Sequence, residues 1–288
     1  MEPMVYTGAC SGTLAAFLEE EHTGSLLMVN SAGIYLQLDG QILLLCHSRW
    51  GQVPIGIGMG EFDTFARTAS PADPVASRGG RLHFPSGWVK INIIEPEPLA
   101  LGVPSAERWQ QGIGALENRE KGLVPLASRL LLGKNGAESP LCALAGPRLE
   151  ALCRAITRAD VPGMEAETEK LLGLGPGLTP SADDVLCGLI YGLIRSKAAE
   201  HPGVLELRKI LCRLPEGRTH PVSAAYLKAV AGGAHFSRME GAWRFLTDRD
   251  GEGYAPLLEV GGSSGSDMLL GLLLAGKLLL RMEEWTDV

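Results

Sequence analysis

A change of hydrophobic period at Pro96-Glu97-Pro98 divides the chain into two parts that cannot share one architecture. Ahead of it, from Gly24 to about Glu97, apolar runs are short and broken by Gly, Pro, Asn and Asp. Ser25–Asn30, Gly33–Leu38 and Gln41–His47 have strand length. Asp39-Gly40 joins the last two, and because both residues accept positive φ the junction reads as a tight hairpin. Val53–Gly58 and Trp88–Glu95, with Val89, Ile91 and Ile93 in alternation, extend the strand pattern, and Ala15–Glu21 reads as a helical turn. Behind the prolines the apolar spacing is helical over Ala106–Arg119, Leu123–Leu132, Pro147–Arg158, Ser181–Lys197, Val204–Leu214, Val222–Ala231 and Ser264–Glu284. Gly133–Ser139 reads as a loop and Pro162-Gly163 as a break. The expected fold is α+β, with a mainly β domain over residues 1–104, barrel-like or an antiparallel sheet, and an all-helical bundle over 105–288. Ser264–Glu284 is apolar on nearly every face and is the expected hub of the bundle.

Composition limits the function classes. With 45% hydrophobic and 20% charged residues in 288, the chain has an ordinary globular profile and enough length for a full core. Its 26 Lys and Arg face 33 Asp and Glu, for a net charge of −7 with no basic run, which argues against nucleic acid as a partner. Cys10, Cys46, Cys142, Cys153, Cys187 and Cys212 are scattered singly, without zinc-ligand spacing, as suits buried thiols in a reducing compartment. Met1–Ser11 carries no basic stretch followed by an apolar run. The longest greasy segment, Met268–Leu280, contains Lys277 and is shorter than the roughly 20 residues of a membrane span. The expectation is a soluble, cytoplasmic protein that works neither on nucleic acid nor in a membrane.

The chemistry concentrates in Gly173-Leu174-Gly175-Pro176-Gly177-Leu178-Thr179-Pro180-Ser181-Ala182-Asp183-Asp184. Three glycines around a proline let a ligand approach the backbone closely. The loop feeds a helix N-terminus, where unpaired N–H groups and the helix dipole favour an oxyanion. An echo follows 83 residues later: Ser181, Asp184, Leu186 and Gly188 recur as Ser264, Asp267, Leu269 and Gly271, again behind glycines. Gly188, Gly192 and Gly271 would let the two helices pack closely, with their N-termini opening on one cleft. Two readings stand side by side. Ser181 with Asp184, and Ser264 with Asp267, have the form of capping boxes, each contributing about 1 kcal/mol to its helix. Asp183 is not needed for a cap, and its presence favours a site. Adjacent carboxylates repel a bare phosphate; they suit a Mg²⁺ ion bridging to one, or the N–H donors of a carboxamide or ureido group. In Arg218-Thr219-His220-Pro221-Val222-Ser223, Thr219 or His220 caps a helix with Pro221 in its first turn, or Arg218 offers a planar fork to a carboxylate. Arg49, in His47-Ser48-Arg49-Trp50, is a second such candidate beside its reading as a solvated surface residue. His22, His83, His201 and His235 are assigned no role, and no nucleophile elbow, Walker loop or dinucleotide fingerprint is present.

The run Gly173–Asp184, continued by Leu186 and Gly188, resembles the G-L-G-P-G-L-T-P-S-G-D-D signature of the AllH-like family, with Ala182 where that family usually has Gly. Gly261-Gly262-Ser263-Ser264-Gly265-Ser266-Asp267 with Gly271 resembles the family's second motif, and Thr219 with Ser223 its T-x-x-x-S pattern. The resemblance implies a subunit of oxamate carbamoyltransferase, which interconverts oxalurate plus phosphate with oxamate plus carbamoyl phosphate in allantoin breakdown. It also implies companion subunits, one resembling acyl-CoA synthetases. The candidate catalytic residues are Asp183, Asp184 and Asp267. The candidate substrate-binding residues are Gly175, Gly177, Thr179, Ser181, Arg218, Thr219, Ser264, Gly265 and Arg49. A non-catalytic metabolite-binding subunit or sensor is the alternative. An ATP-dependent small-molecule kinase comes third, since no Lys follows the loop.

Overall fold

The computed structural model describes residues 4–30, 32–94, 101–134 and 139–283. The chain divides into two compact units: Met1–Pro98 with Ala234–Ser237, and Leu99–Gly233 with Arg238–Val288. The linker prolines 96–98, Glu95 and Glu284 of two expected elements, and 135–138 of the expected loop lie outside the described residues.

The first unit is an eight-stranded closed barrel in the order β1-β5-β4-β3-β2-β6-β7-β8. Its strands are β1 (Met4–Ser11), β2 (His22–Asn30), β3 (Gly33–Leu38), β4 (Gln41–His47), β5 (Gly56–Met59), β6 (Pro74–Arg78), β7 (Arg81–Phe84) and β8 (Gly87–Ile94). The barrel is mixed: β1 runs parallel to β8 and β4 parallel to β5, and the other neighbours are antiparallel. The hairpin at Asp39-Gly40 forms as expected, with φ of 44° and 89° and Leu38 opposite Gln41. Closure by β1, β6 and β7 was not read from the sequence. These strands are short or begin the chain, so their alternation is weak on its own. Val53–Ile55 forms a turn, with Gly56 N–H on the Val53 carbonyl, and the strand begins only at Gly56. The interior is packed by Leu18, Leu26, Ile34, Leu36, Leu43, Leu45, Ile57 and Val89 together with Leu14 and Ala15 of α1 (Gly12–Glu19). Phe65 of α2 (Phe62–Ala66) meets Tyr6 and Phe84 edge-to-face, at ring separations of 5.1 and 4.9 Å.

The second unit is helical, with α3 (Ala106–Leu116), α4 (Ala127–Leu132), α5 (Pro140–Arg158), α6 (Val161–Leu171), α7 (Ser181–Ile194), α8 (Pro202–Arg213), α9 (Pro221–Ala231), α10 (Ser237–Leu246), α11 (Ala255–Leu258) and α12 (Ser264–Glu283). Pro162-Gly163 is not a break. Asp160 caps α6 through the Gly163 N–H and Pro162 sits in the first turn, where its missing donor costs nothing. Likewise α5 begins at Pro140, capped by Ser139, and passes through Pro147. α10 was also missed. Among the described residues, no helix is long and apolar enough to cross a membrane.

α7 and α12 form the centre. Every residue of α7 is buried, and α12 packs against α3, α4, α5, α7 and α11. They are parallel and in register, because Gly188 faces Gly271 and Gly192 faces Ala275. A Cβ on Gly188 would stand 2.0 Å from the Met268 carbonyl oxygen, and one on Gly271 2.2 Å from that of Val185. Only backbone fits between the two axes here. The far end of α7 is tied by a buried ion pair, Arg195 Nε to Glu240 Oε2 at 2.8 Å, onto which Tyr191 also donates at 2.7 Å.

The glycine crossing gives opposite expectations for two Gly→Ala changes. Gly271→Ala pushes the helices apart and should cost on the order of 1–3 kcal/mol. At Gly114 of α3 nothing lies within 4 Å of an added Cβ, and Gly114→Ala should be stabilising by up to about 1 kcal/mol through helix propensity. Thermal denaturation of the two variants checks both signs.

Candidate functional site

Each motif enters its helix the same way. The Ala182 N–H donates to the Leu174 carbonyl at 3.0 Å, and its counterpart on Gly265 to Val260 at 2.9 Å. The Asp184 N–H reaches Pro180 at 3.1 Å, and that of Asp267 reaches Ser263 at 2.9 Å. The glycine loop needs its glycines: Gly173, Gly175 and Gly177 have φ of 79°, 122° and 94°, and a Cβ on Gly175 would lie 2.6 Å from the Ser181 nitrogen. Pro176 and Gly177 are exposed, while Thr179, Ser263 and Ser264 are half-buried.

The capping boxes do not form. Pro180 is the N-cap of α7 and gives no side-chain bond, and Ser181 is already helical. Ser181 and Ser264 act across to the neighbouring helix. The Ser181 hydroxyl supports the Asp267 carboxylate, and the Ser264 hydroxyl supports that of Asp184. Thr179 also reaches Asp184, and its Oγ1 stands 3.0 Å from the Ser264 Oγ. The Ser263 hydroxyl, at the start of α12 itself, acts on Asp267 as well.

The three aspartates are all buried, with exposures of 0% for Asp183, 2% for Asp184 and 0% for Asp267. Asp183 accepts from the Gly173 N–H at 3.0 Å, from the Ser223 hydroxyl at 2.6 Å and from the Thr219 hydroxyl. It fastens the start of the glycine loop to the first turn of α9. There His220, not Thr219, is the cap, accepting from the Val222 N–H at 3.2 Å. Burial raises the Asp183 pKa against these donors. Burial raises that of Asp184 strongly, reinforced by the charges of Asp267 and Asp183, and the Ser264 and Thr179 hydroxyls only partly oppose it. Asp267 accepts from the Leu123 N–H at 2.7 Å, and burial lifts its pKa from 3.8 to about 6. One oxygen each of Asp184 and Asp267, Oδ2 in both, is buried without a hydrogen-bond partner.

A segment that sequence reasoning passed over completes this end of the unit. Gly122, at φ 66°, lies against Asp267, where an added Cβ would come within 2.3 Å of the carboxylate. Leu123 supplies the backbone donor, and Arg119 Nη1 donates to the Ser266 Oγ at 3.3 Å. Gly122 between charged residues and Leu123 was the only sequence signal. Gly265 is where α11 makes its closest approach, since a Cβ there would stand 1.9 Å from the Leu257 oxygen. Arg218 is exposed and its guanidinium pairs with Glu169 at 2.9 Å, so its fork meets a carboxylate of this chain. Arg49 belongs to the barrel unit, exposed in the turn after β4 beside Trp50. The donor set does not suit Mg²⁺: Asp183 is already taken by three donors, and among the described residues no three His, Cys, Asp or Glu side chains converge to hold a metal ion.

The raised Asp267 pKa sets a sign. The folded state holds a proton that the unfolded state releases between about pH 4 and pH 6, so stability from this group is present at low pH and lost as pH rises through about 6. The effect is on the order of 3 kcal/mol. Asp267→Asn keeps an acceptor for Leu123 without the titration. Thermal melts from pH 4 to 7 should show the wild type losing stability relative to this variant; parallel curves would refute the assignment.

No solved structure matches the chain. The glycine loop, the T-x-x-x-S segment, α7 and the start of α12 fall within residues 171–276, and this segment matches the family described as oxamate carbamoyltransferase subunit AllH.

Proposed function

We propose that this chain holds the substrate in a carbamoyltransferase that interconverts oxalurate plus phosphate with oxamate plus carbamoyl phosphate, working with companion subunits, one of them resembling acyl-CoA synthetases. The observation that carries the reading is the meeting of both family motifs, 83 residues apart, at the adjacent N-termini of α7 and α12.

The roles follow from exposure. The loop around Gly175 and Gly177 offers backbone N–H groups to the charge that develops on the carbamoyl oxygen as phosphate attacks. Thr179 and Ser264, half-buried, present hydroxyls to the ureido group. A phosphate oxygen bonds to the carbamoyl carbon, the bond from that carbon to the oxamate nitrogen breaks, and the nitrogen collects a proton. Asp184, whose pKa is raised well above the ordinary carboxylate range by burial and by the charges of Asp267 and Asp183, is assigned as the donor through the Ser264–Thr179 hydroxyl pair, and it regains the proton that hydrogen phosphate gives up on attack. Asp183 and Asp267 act as positioning residues, the first for the glycine loop and Thr219, the second for Leu123. Burial of all three carboxylates also favours the second reading, a metabolite-binding subunit whose partner performs the chemistry.

In the complex reconstituted with its companions, Asp184→Asn should lower kcat by about 100-fold or more, with the circular dichroism of the wild type retained. Wild-type turnover in that variant would remove Asp184 from the reaction. Oxalurate binding to the chain, with turnover insensitive to both Asp184→Asn and Asp183→Asn, would favour the binding subunit.

A further inference from the structure

We infer that Arg119 binds the carboxylate of the substrate, an assignment that rests on the carbamoyl-transfer reading above and names the group it left without a receptor. Oxalurate and oxamate both end in a carboxylate, and a buried acidic cluster cannot hold one. Of the expected receptors, Arg218 is paired with Glu169. Arg108, Arg129 and Arg213 each meet a carboxylate of the chain as well. Arg119 differs. Its guanidinium meets a hydroxyl, that of Ser266, and among the described residues no acid lies within ion-pair reach of it.

The backbone fixes it there. Asn118 takes φ of 65° after α3, and the Arg119 N–H returns to the Leu116 carbonyl at 3.2 Å. Three residues on, Gly122 and the Leu123 N–H lie against Asp267, so the segment is held to the first turn of α12 at both ends, through Ser266 and through Asp267. An exposed cation is thus delivered to the same helix mouth that carries Ser264 and, beside it, Asp267 with its unpartnered oxygen. In oxalurate one carbonyl separates the carboxylate from the ureido N–H. In this assignment the fork of Arg119 takes the carboxylate and the hydroxyls take the N–H groups. Phosphate is the other oxyanion of the reaction. It carries more negative charge than a carboxylate and is the more strongly disfavoured next to Asp267.

The test uses steady-state kinetics of the reconstituted complex. Arg119→Ala should raise the KM for oxalurate and oxamate by about 10- to 100-fold, the size of a lost charge-assisted pair, with the KM for phosphate changed less than about twofold. Arg119→Lys should recover only part of the loss. An oxalurate analogue with a carboxamide in place of the carboxylate should be used equally by wild type and Arg119→Ala. An unchanged oxalurate KM overturns the assignment, and so does a rise in the phosphate KM alone. If the wild-type complex does not turn over oxalurate, the carbamoyl-transfer reading fails and calorimetric titration of the full chain with oxamate decides Arg119 separately. Binding by the wild type that Arg119→Ala loses supports it; equal binding, or none to the wild type, overturns it.

Discussion

The contact between Gly188 and Gly271 sets the geometry on which the helical unit depends. With no side chain on either helix at the crossing, α7 and α12 run parallel at backbone contact. Both N-termini therefore fall side by side, and two helix dipoles present their positive ends together. That field favours negative charge, whereas removing water penalises it. The balance is visible in the aspartates: Asp184 and Asp267 have raised pKa values although each sits in the first turn of a helix. Desolvation outweighs the dipole because these carboxyls are fully buried and the dipole's influence is confined to about one turn.

The two helix starts have equivalent cores and different surroundings. Around α7 the long glycine loop is fastened by Asp183 to Thr219 and Ser223. Around α12 the short Gly261–Ser263 turn leaves room for the 119–123 segment, fastened by Asp267 and Ser266. Ala182 buries a methyl where Gly265 admits the backbone of α11. Ser181 and Ser264 link the two starts, the first acting on Asp267 and the second on Asp184.

Much of this was legible beforehand, and for identifiable reasons. The Asp39-Gly40 hairpin, the break in period near Pro96 and the buried hub at Ser264 follow from residues adjacent in sequence. The 83-residue echo and its glycines pointed to a close helix pair. The parts not foreseen involve the order in which strands close and residues whose motifs serve two purposes. Pro162-Gly163 has the composition of a break, yet with Asp160 ahead of it the same pair opens a helix. Ser181 and Asp184 have the spacing of a cap, but the cap was the wrong partner. β1 pairs in parallel with β8, about eighty residues away, and nothing in either strand names the other.

By itself the sequence determined which segments are helical or extended and where the backbone must reach positive φ. It also determined which carboxylates and hydroxyls arrive at the two helix starts, because these depend on side-chain period and on steric limits within a few residues. Only the tertiary structure decided who pairs with whom: Ser181 with Asp267, Ser264 with Asp184, Thr219 and Ser223 with Asp183, Arg119 with Ser266. Those pairings are fixed by how closely elements distant in the chain can approach. Here that distance was set by two glycines that let one helix lie directly on another.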